Sequence, residues 1–456
     1  MDGLTKQVGA FASSVGKRDI PADCMEGARI GITDCISVLL AGSKEEAPAI
    51  VGALLEPSAK DDAVPHIPSG RKFSVGDAAL LNGVSAHVLD YDDVALAGHP
   101  SVVLTPAILA EGWALNKSGA EVLAAYVAGY EVWALLYDLE PGSLHELGFH
   151  PTAVNGTLAC AAACASLRGL SKEQASHAVA ISASLASGMV ANFGSMTKSL
   201  QTARAAQSGV LAARLASAGY TASLDVLEHR TGYVRAHSPS RAPRLDIEDF
   251  RLGIDWRLPK YGVHIKRYPL CYATHRSIDA ALELVKENDI APADIREIHV
   301  HTGETQYLML RNHFPQTGLE AKFSMEFAMA SAVVAKRVGL GELTDEFVTS
   351  GPVRAVMQKV RCTTTTEVVT DWDQPFAPAD TVSITLASGR VLTSEPVARP
   401  KGSWQRRMTQ AELQDKFVDC ASRVLPKQQA IALFAQLSGL GGLASIRDLS
   451  MFVVQG

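Results

Sequence analysis

Four stretches of the chain place ionisable side chains beside turns, in residue types suited to proton transfer on an anionic molecule. The first, HVLDYDDVALAGHPSVVLTPA, carries His87, Asp90, Tyr91, Asp92, Asp93 and His99. His87, Asp90 and Tyr91 stand at i, i+3 and i+4, the spacing of one helix face, and Gly98-His99-Pro100-Ser101 then breaks the helix. Asp90, Asp92 and Asp93 would be costly to bury alone, so either they have partners or the segment is a solvated loop. In the second, GFHPTAVNGTLACAAA, His150 precedes a helix that Pro151 or Thr152 can open. The helix dipole disfavours an imidazolium there. That suits a neutral ring acting as base or hydrogen-bond donor; a capping or packing histidine is the competing reading. His145 is a weaker second candidate.

In the third stretch, ANFGSMTKSLQTARAAQSG, Lys198 opens a helix that Thr197 could cap, with Arg204 about two turns in. A cation at a helix start opposes the macrodipole. Local stability therefore does not explain Lys198; an anionic ligand or a buried carboxylate would, and a solvent-exposed lysine is the alternative. The fourth, HIKRYPLCYATHRSIDAAL, gathers His264, Lys266, Arg267, Tyr268, Cys271, His275 and Arg276, with Thr274 able to cap the next helix. Basic groups beside a helix N-terminus make an anion site, against the bland reading of scattered surface charge. Nothing local activates Cys271 as a nucleophile. His299 and His301 share a strand face without a third ligand at a telling spacing, so they read as ordinary strand positions and no metal site is expected. Walker A, H-E-x-x-H and G-x-S-x-G motifs are absent from the sequence.

The elements that must position these residues divide into two kinds. Up to about residue 255 one helix follows another. Pro21 and Gly42 bound one; Ser74 precedes a second with Asp77 in its first turn; Ser118-x-x-Glu121 and Ser171-x-x-Gln174 are capping boxes. The pattern then changes. RYPLCY and EIHVHTG read as short strands around a helix from Ser277 to Lys286, and FSMEFAMASAVVAKRVG as a helix ended by Gly339. TVSITLA and RVLTSEPVA flank Ser388-Gly389 as a hairpin. Helical sequence resumes near Thr409. The expected fold is mainly α with an α+β part: a large all-helical domain from both chain ends (1–265 and 401–456) with an α+β domain (266–400) inserted.

Composition narrows the function classes. The chain has 456 residues, Lys+Arg 42 against Asp+Glu 48, a net charge of −6 and 47% hydrophobic residues. The apolar content excludes a disordered chain, and the sign of the charge disfavours nucleic acid as a partner. The seven cysteines include no C-x-x-C pair, and Cys160 and Cys164 sit at helical spacing in an Ala-rich run, as core residues do. With no secretory leader and no uninterrupted apolar run of membrane-spanning length, a soluble cytoplasmic protein is expected.

The same segments, LNGVSAHVLDYDDV…GHPSVVLTPA, GFHPTAVNGTLACAAA, GSMTKSLQTARAAQSGVLAA, KRYPLCYATHRSIDAA and GLEAKFSMEFAMA, resemble the MmgE/PrpD family in order and spacing across nearly the whole chain. The resemblance implies a helical domain with an α+β lid, a homodimer, and an active site between the domains that takes small di- or tricarboxylates without metal or cofactor. It implies that Asp90, His99, His150, Lys198 and Lys266 are the polar catalytic positions. His275 and Arg276 would lie nearby to bind substrate with Arg267, and Tyr91 and Asp93 would support the site. Dehydratases of the family carry a Ser-Met-Trp-Lys-like stretch; Met196-Thr197-Lys198 is similar instead to the decarboxylase and epimerase branches. Decarboxylases carry Thr, His and Tyr near Val94, Gln201 and Phe327, where this chain has none of those groups. The implied activity is a lyase or isomerase removing a proton next to a carboxylate, like 2-methylcitrate dehydratase or iminodisuccinate epimerase. Near-neutral His150 is the preferred base, with Lys198 as the alternative. Cis-aconitate decarboxylation and a catalytically silent carboxylate binder are the competing readings.

Overall fold

The structure is a computed structural model that describes residues 2–140, 143–245, 249–369 and 376–452. It divides into two compact units, Met1–Val263 with Thr409–Gly456, and His264–Met408. The boundaries differ from 265 and 401 for a physical reason. The Trp404 N–H donates to His264 Nδ1 at 3.0 Å, the Ile265 N–H to the Gly402 carbonyl, and the Lys401 N–H to Asp279. These bonds hold 264–265 and 401–406 to the middle segment.

The first unit is helical. Its centre is formed by the helices Val75–His87, Pro100–Ala114, Gly119–Leu139, Pro151–Leu167 and Thr197–Ser217, which pack on one another. Ala and Gly at the contacts let them approach closely. A Cβ on Gly209 would stand 2.3 Å from Cys160 Cβ, and one on Gly83 would stand 2.9 Å from Ala203 Cα. The capping boxes at Ser118 and Ser171 are formed. Gly119–Leu139 is 21 residues long and apolar enough to span a membrane by length and composition, although Glu121, Glu131 and Asp138 interrupt its apolar run. Yet 89% of its most apolar window is buried in the protein, as in a core helix.

The second unit holds a four-stranded sheet in the order Val360–Thr365, Ile295–Gly303, Thr381–Leu386, Val391–Thr393. The first pair is parallel, with Ile298 opposite Val360, and the others are antiparallel. Ile298 and Val300 point into the core, while His299 and His301 both bond the Thr363 hydroxyl on the other face. RYPLCY is not a strand: Pro269 has no N–H to give a ladder, and the Cys271 N–H goes to the Lys322 carbonyl. The 325-region helix runs Met325–Val334 and stops before Gly339, because Lys336 turns left-handed and Ser331 Oγ donates to the Arg337 carbonyl.

Candidate active site

Two His-Pro pairs begin the site. Pro100 and Pro151 each occupy the first position of a helix, so His99 and His150 are the residues just outside. Proline also forces its predecessor out of the helical region, and both histidines are non-helical, with ψ of 83° and 106°. The preceding helix closes at His87. Asp90, at φ +53°, and Tyr91 are therefore in a turn rather than on the expected helix face, with the Asp90 N–H bonded back to the His87 carbonyl. Leu96 and Ala97 are also left-handed, between Ala95 and Gly98, which pair as a tight hairpin. That hairpin returns the chain to His99.

This local geometry makes two layers. The buried layer is His87, Asp92 and Asp93, each fully enclosed. Asp92 lies between two imidazoles: Oδ1 accepts from His87 Nδ1 at 2.9 Å, and Oδ2 is 2.7 Å from His99 Nδ1. His99 Nδ1 also donates to the Asp93 carbonyl at 2.9 Å. Burial pushes the Asp92 carboxyl up, but His87 and His99 outweigh it and hold the group well below the usual range. Burial lowers His87 to about 4, with Lys198 acting in the same direction, so the ring is neutral. Asp93 goes the other way. Burial, then the charges of Asp92 and Asp34, raise it well above the carboxylate range, and it holds the Ser101 backbone and hydroxyl at 3.2 and 3.0 Å. Asp93 thus acts through the first turn of the Pro100–Ala114 helix.

The partly accessible layer is Asp90, His99 and Lys198. Lys198 Nζ donates to Asp90 Oδ1 at 2.8 Å, and His99 Nε2 is 3.9 Å from the same oxygen. The carboxylate that the position of Lys198 called for is therefore Asp90. Thr197 does not cap this helix, whose N-cap is Met196 without a side-chain bond, and Arg204 is exposed and turns to Gln207. Phe193 lines the site: its ring is 4.7 Å from His150 and 5.2 Å from Lys198 Nζ. His150 is buried, and burial, then the Lys198 charge, press its pKa far below neutrality. It is not the near-neutral base expected from the sequence. Its Nδ1 is 2.8 Å from Gln201 Nε2. His145 is also lowered, by burial and then by His99 and Lys198, and its ring sits 6.2 Å from Phe193.

Asp90, His99, His150 and Lys198 are thus brought together within the helical unit. Tyr91 is buried behind them, with its ring 4.1 Å from Lys416 Nζ, which pairs with Asp34. Lys266, Arg267, His275 and Arg276 belong to the other unit. Lys266 is buried. Arg267 lies over the Tyr268 ring and 3.8 Å from Asp279. Arg276 is inside that unit's core, paired with Asp380 at 2.7 Å and bonded to Gln306 and the Ala377 carbonyl. His275, also buried, donates from Nε2 to the Leu270 carbonyl. Both make contacts within their own unit. Thr274 does not cap its helix either; its hydroxyl donates to the Cys271 carbonyl.

His87, Asp90, Asp92 and His99 offer ligand atoms within 4.8 Å of one another, a set that a divalent ion could take. As arranged, however, Asp92 Oδ1 is taken by His87 Nδ1, His99 Nδ1 donates to the Asp93 carbonyl, and the Lys198 ammonium pairs with Asp90 where a metal would compete.

Residues 6–246 match the MmgE/PrpD N-terminal domain, and residues 268–439 match the MmgE/PrpD C-terminal domain. The chain belongs to the MmgE/PrpD family. Among its relatives, a cis-aconitate decarboxylase of Mus musculus is 30% identical over 382 residues, covering 80% of this chain and 76% of that protein. A cis-aconitate decarboxylase of Homo sapiens is 29% identical over 362 residues, 76% and 73% of the two chains. One from Aspergillus terreus is 25% identical over 472 residues, covering 98% and 95%. Within this MmgE/PrpD site, the sequence reading passed over the weight of Asp92 and Gln201. Asp92 was legible only as one of several acids. Gln201 was legible only as a departure from the decarboxylases, not as a partner of His150.

Proposed function

We propose that this enzyme moves a proton at the carbon next to a carboxylate of a small di- or tricarboxylic acid, with loss of water or epimerisation as the outcome. The observation that carries the reading is the Asp92–His99 pair beside the Lys198–Asp90 pair. His99 Nδ1 donates to the Asp93 carbonyl and stands 2.7 Å from Asp92 Oδ2, and in this reading its Nε2, on the accessible layer, takes the substrate proton. Buried Asp92 stabilises the imidazolium that forms when Nε2 takes a proton, as the carboxylate of a hydrolytic triad does. Deprotonation next to a carboxylate makes an enolate-like dianion, and fixed positive charge lowers that barrier. Lys198 supplies the charge, released toward substrate from Asp90. A proton donor on the opposite face then expels hydroxide as water or returns a proton with inversion.

Cis-aconitate decarboxylation is the second reading, favoured by the activity named for the relatives. Val94, Gln201 and Phe327 weigh against it, since family decarboxylases resemble one another in carrying polar groups there. A homodimer belongs to the same proposal, as do cytoplasmic location and chemistry done by side chains alone.

The test is proton NMR of 2-methylcitrate, cis-aconitate, citrate and amino- or iminosuccinates incubated with enzyme in D₂O. Water loss or inversion with deuterium uptake next to a carboxylate is expected. Release of CO₂ from cis-aconitate would move the assignment to the second reading. Binding of these acids without exchange would leave only a carboxylate-binding homologue.

A further inference from the structure

We propose that Gln201 is a positioning residue that fixes His150 as its Nε2–H tautomer, so that His150 offers the substrate a hydrogen-bond donor and not a proton acceptor. The proposal rests on the reading above for its substrate class.

The Gln201 amide is held at both ends by the backbone of one residue, Met189. The Met189 N–H donates to Gln201 Oε1 at 2.9 Å, and Gln201 Nε2 donates to the Met189 carbonyl at 3.3 Å. A backbone N–H can only donate and a carbonyl can only accept, so the two Met189 backbone groups fix which end of the amide is oxygen. Met189 is itself fixed. It bridges Phe149, the His150 N–H donates to the Gly188 carbonyl at 2.9 Å, and the Val190 N–H donates to Gly148 at 2.9 Å. Gln201 and His150 are therefore tied to the same short ladder.

With its orientation set, Gln201 presents an N–H to His150 Nδ1 at 2.8 Å. A donor must meet a lone pair, so Nδ1 carries no proton. The ring is buried and near the Lys198 ammonium, both of which disfavour its cation. A neutral imidazole has one proton, and it is left on Nε2. His99 differs: its Nδ1 donates to the Asp93 carbonyl, so the two His-Pro imidazoles are engaged at Nδ1 in opposite senses. The His150 N–H is suited to an oxygen that gains negative charge as the α-proton leaves.

The experiment uses the full-length protein with ring-¹⁵N-labelled histidine at pH 7.5, the His150 signals being assigned by their loss in His150→Gln. An unprotonated Nδ1 and a protonated Nε2 are expected in the wild type. Gln201→Leu, which removes the donor, should shift the population toward Nδ1–H. Gln201→Glu, which places an acceptor there, should invert the tautomer and lower kcat at least tenfold, with KM within threefold. An Nδ1–H in the wild type would overturn the proposal, as would a tautomer unchanged in folded Gln201→Leu and Gln201→Glu. The spectra need no turnover. Absence of activity on every carboxylate would therefore count against the proposed function and leave the tautomer judged by the NMR.

Discussion

Asp92→Asn tests the relay with the smallest steric change. The side chain is fully enclosed, and its two oxygens face two imidazole Nδ1 atoms at 2.9 and 2.7 Å. An amide keeps the volume but loses the charge that stabilises the His99 imidazolium. For charge centres about 4 Å apart at an effective dielectric constant of about 20, that charge is worth about 4 kcal/mol. Full proton transfer in the transition state would convert this to about a thousandfold in rate, and half transfer to about thirtyfold. The amide also has only one acceptor end. One imidazole must then face an N–H and change tautomer, which adds to the loss when that ring is His99. The assay is the initial rate of deuterium uptake into the carboxylate identified as substrate, with near-ultraviolet circular dichroism to confirm native packing. A folded Asp92→Asn enzyme within threefold of the wild-type rate would refute the role of Asp92 and, with it, of His99 as base.

Other expectations follow from the same contacts. Lys198→Ala should lower kcat/KM at least a hundredfold in steady-state assays with a cooperative melt retained, because Asp90 keeps its place in the turn while the substrate loses its cation. Gly209→Ala should destabilise the helical unit by about 1–3 kcal/mol, read as a lower melting temperature, since the new Cβ would meet Cys160 Cβ at 2.3 Å. Stability should fall as pH drops from about 6.5 toward 4. An unfolded His87 binds a proton in that window, and the folded one, lowered to about 4, does not. Melting temperatures against pH should show His87→Gln with a flatter slope, by up to about 1.4 kcal/mol per pH unit. Glu131, raised by burial to about 7, contributes the opposite slope in both proteins and does not affect the difference.

The helical architecture was legible because its signals are local. Ser118 and Ser171 cap their helices as their sequence motifs require, and Ser388-Gly389 turns the hairpin. Lys198 stood out for a similar reason: a lysine at a helix N-terminus is locally unexplained, and Asp90 is the carboxylate that meets it. What was not legible depends on partners distant in sequence. Arg276 looked like an anion ligand until Asp380, over a hundred residues away, took its guanidinium. Asp92 and Asp93 have the same formula and adjacent places, yet one sits between imidazoles and the other beside further carboxylates. Their protonation therefore diverges. His150 looked like a base because its helix position is visible in sequence, whereas its burial and the Gln201 contact are not.

The central claim is that His99, backed by Asp92, exchanges the proton next to a substrate carboxylate. The most direct measurement is wash-out of deuterium from a substrate labelled at that carbon, followed by NMR in H₂O with wild-type enzyme and with His99→Gln. Wash-out by the wild type, lost by at least a hundredfold in a folded His99→Gln protein, is the expected result. Wash-out at the same rate in both proteins would contradict it.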